Sequence, residues 1–287
     1  MVRLNRSTAD SADVADIVII GVQDESGSHA KRKGTSRAPD VLRIASNEAE
    51  FFERNGKLIP TCPMSGSLDG KRVFDAGNVN STSGLDRKVQ DLASRGKIPF
   101  MIGGDHSLTT EAIRGISEAT HSKLALLYFD AHPDFVSSAR NYYGSVLTDS
   151  TQYLDFSASM LIGTRAAEPE ELVNAEKAGL RILTPLDIAE LGVKRAAEMV
   201  RERTGKMPIY ISVDLDCLDP SVGPGVSVPS PAGLSGVELV FLLSSALKGK
   251  VVGMDIVELC PDFDINGMTA SLAARILSES IASMSIK

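Results

Sequence analysis

Leu124-Ala-Leu-Leu-Tyr-Phe129-Asp130-Ala131-His132-Pro133-Asp134 runs from an unbroken apolar stretch straight into three ligand-type side chains. A strand turns successive side chains to opposite faces, so residues two apart share a face. Asp130, His132 and Asp134 would project together if extended geometry continues past the strand end. Ile209 to Leu215 repeats the pattern with Asp214 and Asp216, and Ile98 to Ile102 leads into Gly103-Gly104-Asp105-His106-Ser107. Like charges gathered at the mouth of a sheet need cations to offset them. A two-metal hydrolytic centre is the economical reading.

The same stretches set the fold class. Ile17 to Val22, Met160 to Ile162 and Val251 to Val257 are further short apolar runs, mostly β-branched or aromatic. They are nearly continuous rather than alternating, as strands covered on both faces are. Helical spacing separates them: Leu85, Val89 and Leu92 in one segment, Met268, Leu272 and Ile276 in another. Ser235 to Glu238 offers a capping box before Leu239 to Leu243. Strand and helix alternate, which predicts an α/β fold with a largely parallel sheet. Ligands of such sheets bind beyond the carboxyl ends of the strands, where all three clusters fall. No composition break marks a linker, so residues 1–287 read as one domain, with 1–15 a flexible leader; Pro60 to Gly70 reads as a turn-rich loop.

Bulk composition narrows the partners. The chain has 287 residues, 30 basic against 37 acidic side chains and a net charge of −7, without a basic block. That excludes a nucleic-acid footprint and favours small molecules. Cys62, Cys217 and Cys260 lie far apart and form no CxxC pair, which suits a reducing compartment. The polar start lacks a signal-type apolar core, and no apolar run reaches the roughly 18 to 20 residues of a membrane helix. A cytoplasmic protein without membrane contact is expected.

Carboxylates outnumber imidazoles in the clusters, and hard oxygen ligands with one or two imidazoles suit manganese or magnesium better than structural zinc. Cys217 follows Asp216 directly and is expected to pack on the opposite face. Asp219 and Asp255 read as turn or bracing residues, and His29 and His121 as surface residues. Two divalent ions about 3.5 to 4 Å apart can lower the pKa of a shared water, which makes hydrolysis the natural reaction class.

The order GGDHS (103–107), DAHPD (130–134), SVDLDCLDP (212–220) and GMDIVELCPDFD (253–264) resembles the ureohydrolase family, which includes arginase and agmatinase. Gly34-Thr-Ser-Arg-Ala-Pro-Asp-Val-Leu-Arg43 and Phe74-Asp-Ala-Gly-Asn-Val79 extend the resemblance, which covers roughly 16–280. It implies a three-layer domain with an eight-stranded, mostly parallel sheet flanked by helices, two Mn2+ ions, and homotrimers or homohexamers. It also implies that His106, Asp130, Asp134 and Asp214 hold one ion and Asp130, His132, Asp214 and Asp216 the other. Asp134 would further position the nucleophilic water, and Glu258 would pair with the substrate's guanidinium. Tyr143, Ser230 and Glu258 are the implied substrate contacts.

Two departures bear on function. Family members usually carry a histidine in the loop after the second cluster, where this chain has Asp149. Either Asp149 is tuned as a proton relay, or the leaving amine takes its proton from metal-bound water, or Asp149 recognises a cationic tail. Gly225-Val-Ser-Val-Pro-Ser-Pro-Ala-Gly233 differs from the agmatinase pattern at Ser227, Val228 and Ser230, and Phe135 to Tyr142 lacks the arginase head-group pattern. The expected activity is hydrolysis of a guanidino compound to an amine and urea, agmatine first. Another guanidino acid, a formimino substrate, or a metal-bound non-catalytic role are the alternatives.

Overall fold

A computed structural model describes residues 3–286. The strand β1 (Ile17–Val22) shows the logic of the sheet, since all six residues are buried. Ile17 and Ile19 enter one apolar core, while Val18, Ile20 and Val22 enter the other. A strand with no polar face needs a layer on each side. Burying each such large aliphatic side chain stabilises by about 2 kcal/mol.

The sheet has eight strands in the order β4 (Val73–Val79), β1, β5 (Ile98–Ile102), β10 (Val251–Val257), β9 (Ile209–Asp214), β6 (Ala125–Phe129), β7 (Met160–Ile162) and β8 (Arg181–Leu183). Every neighbouring pair is parallel. The helices α1 (Ala38–Ala49), α7 (Val193–Thr204), α8 (Gly236–Ala246) and α9 (Met268–Ser283) supply one core, with α6 (Pro185–Leu191) at its margin through Ile188. On the other face lie α2 (Leu85–Ser94), α3 (Leu108–Thr120), α4 (Val146–Ser150) and α5 (Pro169–Ala178). The expected α/β architecture is present, with helices on both sides of the sheet.

Local signals explain several boundaries. The α8 box forms as predicted: Ser235 Oγ accepts the Glu238 N–H at 3.2 Å, and the Glu238 carboxylate accepts the Ser235 N–H at 2.8 Å. In α9 the helix is where its spacing predicts, but the buried face is set by Ala270, Ala273, Ala274, Ile276 and Leu277, and Met268 is exposed. Small residues let that helix pack closely against α1 and α8. A separate antiparallel hairpin, β2 (Phe51–Arg54) and β3 (Lys57–Pro60), turns at Asn55-Gly56. Both turn residues have positive φ, 54° and 71°, as a two-residue type I′ turn requires.

The leader is not loose. Thr8 and Ala9 donate their N–H groups to the Val73 carbonyl at 2.8 and 2.9 Å, and Leu4 donates to Asp75 at 2.9 Å with its side chain buried. Residues 3–9 therefore lie along β4, while Asp13 and Ala15 meet Arg95 and Lys97, in the stretch expected to be flexible. Among the described residues, no helix is long and apolar enough to cross a membrane.

Candidate metal centre and its cleft

Four neighbouring strands, β5, β10, β9 and β6, end at one place. The chain leaves β5 through Gly103 and Gly104, both at φ near +80°, and this tight turn sets His106 over the sheet. From β6 come Asp130, His132 and Asp134, from the end of β9 Asp214 and Asp216, and just beyond β10 Glu258. His106 Nδ1 lies 3.0 Å from Asp130, 3.3 Å from Asp134 and 3.2 Å from Asp214. His132 Nδ1 lies 3.4 Å from Asp130 and 3.0 Å from Asp216. Two ligand-type groups result, His106 with Asp130 and Asp134, and Asp130 with His132 and Asp216, so Asp130 is common to both.

The clustering is as expected, but extended alternation does not produce it. Leu215–Cys217 is a turn of 3₁₀ helix in which Asp214 accepts the Asp216 N–H at 2.7 Å. Asp134 reaches the cluster through a left-handed backbone, φ 50°, and Glu258 has φ 65°. Such conformations cost about 1 to 3 kcal/mol each and persist where surrounding contacts impose them. Cys217 is buried in the apolar core, as its place after Asp216 predicts.

The donor set fits a pair of hard cations. Ser212 Oγ is 2.6 Å from Asp255 Oδ1, and Asp255 Oδ2 accepts the hydroxyls of Tyr210 and Thr109 at 2.6 and 2.7 Å. Since the Ser212 hydroxyl donates to Asp255, its oxygen accepts from His106 Nε2 at 2.7 Å. Nε2 of His106 is then taken up as a donor, and Nδ1 faces three carboxylates, whose charge a proton there or a bound cation would offset. Asp130 Oδ2 is buried without a hydrogen-bond partner. Burial and the neighbouring carboxylates push Asp134, Asp214 and Asp216 above the ordinary carboxylate range. Burial opposes ionisation of Asp130 too, yet His106 and His132 outweigh it and hold it at about 2. A proton on His106 relieves one charge of this crowding; divalent cations would relieve more. With oxygen and imidazole donors and no thiolate, the set suits manganese or magnesium.

Glu258 is almost fully buried beside the cluster. Its Oε1 accepts the His106 N–H at 2.9 Å and its Oε2 accepts the Ser227 hydroxyl, which fixes the plane of the carboxylate. Burial, and then the Asp105 charge, raise its pKa well above the usual range. A cleft of about 170 Å3 opens over His132 and Asp134, walled in part by Tyr142, Tyr143 and Val228. Tyr143, named from the sequence as a substrate contact, lines this cleft.

Two expected site residues are placed otherwise. Asp149 accepts the Asn141 N–H at 2.8 Å and the Ser145 hydroxyl at 2.6 Å, and pairs with Arg140 at 3.3 Å. Its carboxylate braces the loop 140–145 and is not among the residues lining the cleft. Ser230 offers its carbonyl to Arg165 and does not line the cleft; Ser227, three residues earlier, is the serine that meets Glu258.

Other participants escaped the sequence reading. Tyr128 stacks on His106 with ring centroids 4.6 Å apart and donates its hydroxyl to Asp134 at 2.6 Å. Tyr128 and Ser212 each stand two residues before a cluster aspartate, so strand alternation carried the signal. His29, expected to be a plain surface residue, stacks on Tyr142 at 5.0 Å and meets Tyr143 edge-on at 6.2 Å. His121 ends α3 in a left-handed turn, on the surface as expected.

The arginase family model matches residues 15–282. Proclavaminate amidinohydrolase of Streptomyces clavuligerus is 33% identical over 92% of this chain and 86% of its own length. A solved structure of that protein superposes with a TM-score of 0.81 at 31% identity, covering 94% of this chain and 91% of its own. An agmatinase from Neisseria meningitidis serogroup C is 31% identical over the same 92% and 86%. A solved Trypanosoma cruzi formiminoglutamase with Mn2+ shares the fold, with a TM-score of 0.84 at 22% identity and 96% of each chain covered.

Proposed function

From the chain's membership of the arginase family, we propose that this protein is a binuclear, manganese-dependent amidinohydrolase that splits a guanidino compound, agmatine foremost, into an amine and urea. His106, Asp130, Asp134 and Asp214 would hold one ion, and Asp130, His132, Asp214 and Asp216 the other. When bound, such ions supply the acidity that lets water act as a nucleophile at neutral pH.

The observation that carries the reading is Glu258, a buried carboxylate fixed in orientation by the His106 N–H and the Ser227 hydroxyl next to the ligand cluster. A guanidinium presents N–H donors in a planar fork that a carboxylate matches in bidentate fashion. Glu258 would thus orient the electrophilic carbon over the cluster, and positioning of this kind lowers the barrier by restricting the approach. Asp134, held by Tyr128, would accept a hydrogen bond from the attacking water and keep it aimed. With Asp149 committed to its own loop, these residues and water handle the proton traffic.

The test is release of urea from agmatine, arginine, guanidinobutyrate and guanidinopropionate, and of formamide from formiminoglutamate, by the manganese-reconstituted protein. Urea from at least one guanidino compound is expected. The variant Asp214→Ala is expected to lose bound manganese and turnover together; full retention of both would remove the ligand assignment.

A further inference from the structure

The proposed reaction fixes one end of the substrate and leaves the other undetermined, and the wall of the cleft bears on that end. Beyond His132 and Asp134, the lining includes Val136, Tyr142, Tyr143, Ala166, Glu168 and Val228, and no lysine or arginine. The arginines near this mouth are already engaged. Arg140 pairs with Asp149 and the Thr148 carbonyl. Arg165 is spent on the carbonyls of Asp216, Leu218 and Pro231, and Arg32 on those of Pro224 and Val226 with its guanidinium over the Phe263 ring.

The acids differ in how far they are engaged. Glu171 accepts the N–H groups of Phe135 and Glu168 at 3.0 and 2.8 Å, and Glu170 accepts the Ser137 N–H at 3.0 Å. Glu168 is exposed at the cleft and forms no ion pair among the described residues. Tyr142 and Tyr143 line the same cleft with their rings edge to face, and His29 stacks on Tyr142. Aromatic faces attract cations through the ring quadrupole when these lie within about 6 Å.

We propose that Glu168 and the aromatic pair Tyr142–Tyr143 form the subsite for the substrate's far end, and that this subsite takes an ammonium and disfavours a carboxylate. The proposal rests on the amidinohydrolase reading and adds the residues that choose among guanidino compounds. An ammonium tail gains the Glu168 carboxylate and the ring faces. A carboxylate tail meets Glu168 with no cation to offset it, and like charges in a partly enclosed cleft repel strongly. A hydroxyl tail falls between.

The experiment uses the full-length, manganese-loaded protein and guanidino compounds of matched length ending in an ammonium (agmatine), a hydroxyl (4-guanidinobutanol) or a carboxylate (4-guanidinobutyrate). kcat/KM is expected to fall in that order by at least tenfold overall, chiefly through KM, because the tail lies away from the reacting carbon. Glu168→Gln should shrink the ammonium preference, Glu168→Lys should invert it, and Tyr142→Leu should weaken agmatine more than the hydroxyl compound. Thermal melts of each variant confirm that it is folded. Calorimetric binding of the same three compounds is measured in parallel. If none is hydrolysed but agmatine still binds most tightly, the amidinohydrolase reading falls and the subsite stands. Tighter binding of the carboxylate compound, or an unchanged tail ranking in Glu168→Lys, overturns the subsite.

Discussion

Asp255 touches no expected ligand, yet its three accepted hydroxyl bonds decide which nitrogen of His106 faces the cluster. Replacing it by asparagine exchanges one acceptor for a donor, so at least one of the Ser212, Tyr210 and Thr109 hydroxyls must turn away. If Ser212 turns, it donates to His106 Nε2, and the ring proton moves to Nδ1, where a cation should bind. Outer partners of this kind set metal affinity by about 10 to 100-fold. Asp255→Asn is therefore expected to weaken manganese binding by about that factor in a chelator competition; an unchanged affinity would make Asp255 a simple core brace. At this scale the sequence was legible for the clustered acids and imidazoles, because each stands close to the end of an apolar run. The supporting residues were harder to see, since Tyr128 and Ser212 sit inside those runs and read as ordinary strand positions. Asp149 stands out in the sequence through its place in the loop, while its hydrogen bonds in the structure are local.

Among the elements, the loop from Leu218 to Leu234 carries Ser227 and Val228 to the cleft and is pinned by Asp219. That carboxylate accepts the N–H groups of Ser221 at 2.9 Å and Gly233 at 3.1 Å. The Ser221 hydrogen bond, with the Gly233 amide behind it, lowers the Asp219 pKa to about 2. A carboxyl whose folded pKa lies below its unfolded value of about 3.9 stabilises above that value and loses the contribution as pH falls. The window therefore runs from about 4 down to about 2. Asp219→Ala should lower the melting temperature at pH 7, and the gap from the parent should close as pH approaches 2. Solvent screening at this partly exposed turn keeps the effect small; a gap that persists unchanged at pH 2 would assign it to lost packing. The elements themselves were unevenly readable. Long apolar runs announced β1, β5, β6, β9 and β10, whereas β8 has only three residues, one of them a charged arginine. Asn55-Gly56 is a hairpin signal, but the strands that it joins are almost wholly exposed and add nothing to the core.

For the whole molecule, a second buried charge pair lies away from the site. Arg43 grips Asp75 through two 2.8 Å bonds, and both side chains are fully enclosed between α1 and β4. Removing one member of such a pair strands the other in a low-dielectric interior and costs about 3 to 5 kcal/mol. Arg43→Met should show a loss of that size in urea unfolding, partly recovered in the Arg43→Met, Asp75→Leu double variant. A loss below about 1 kcal/mol, the scale of an exposed pair, would mean that Asp75 finds relief elsewhere. Neither the pair nor the docking of residues 3–9 on β4 could be read from spacing, because both depend on strand order, which a single sequence does not display.

That order carries a further consequence. β10 hydrogen-bonds to β5 on one side and β9 on the other, yet it comes after both in the chain. The middle of the sheet is thus supplied later than the strands that flank it. While the polypeptide is being made on the ribosome, β5 and β9 must wait with open edges for a strand that arrives long after both, and open edges invite pairing between chains. Prematurely terminated products that stop before Val251 would keep the acids of β6 and β9, which pair directly, and lack the strand that seats β5 and His106 beside them.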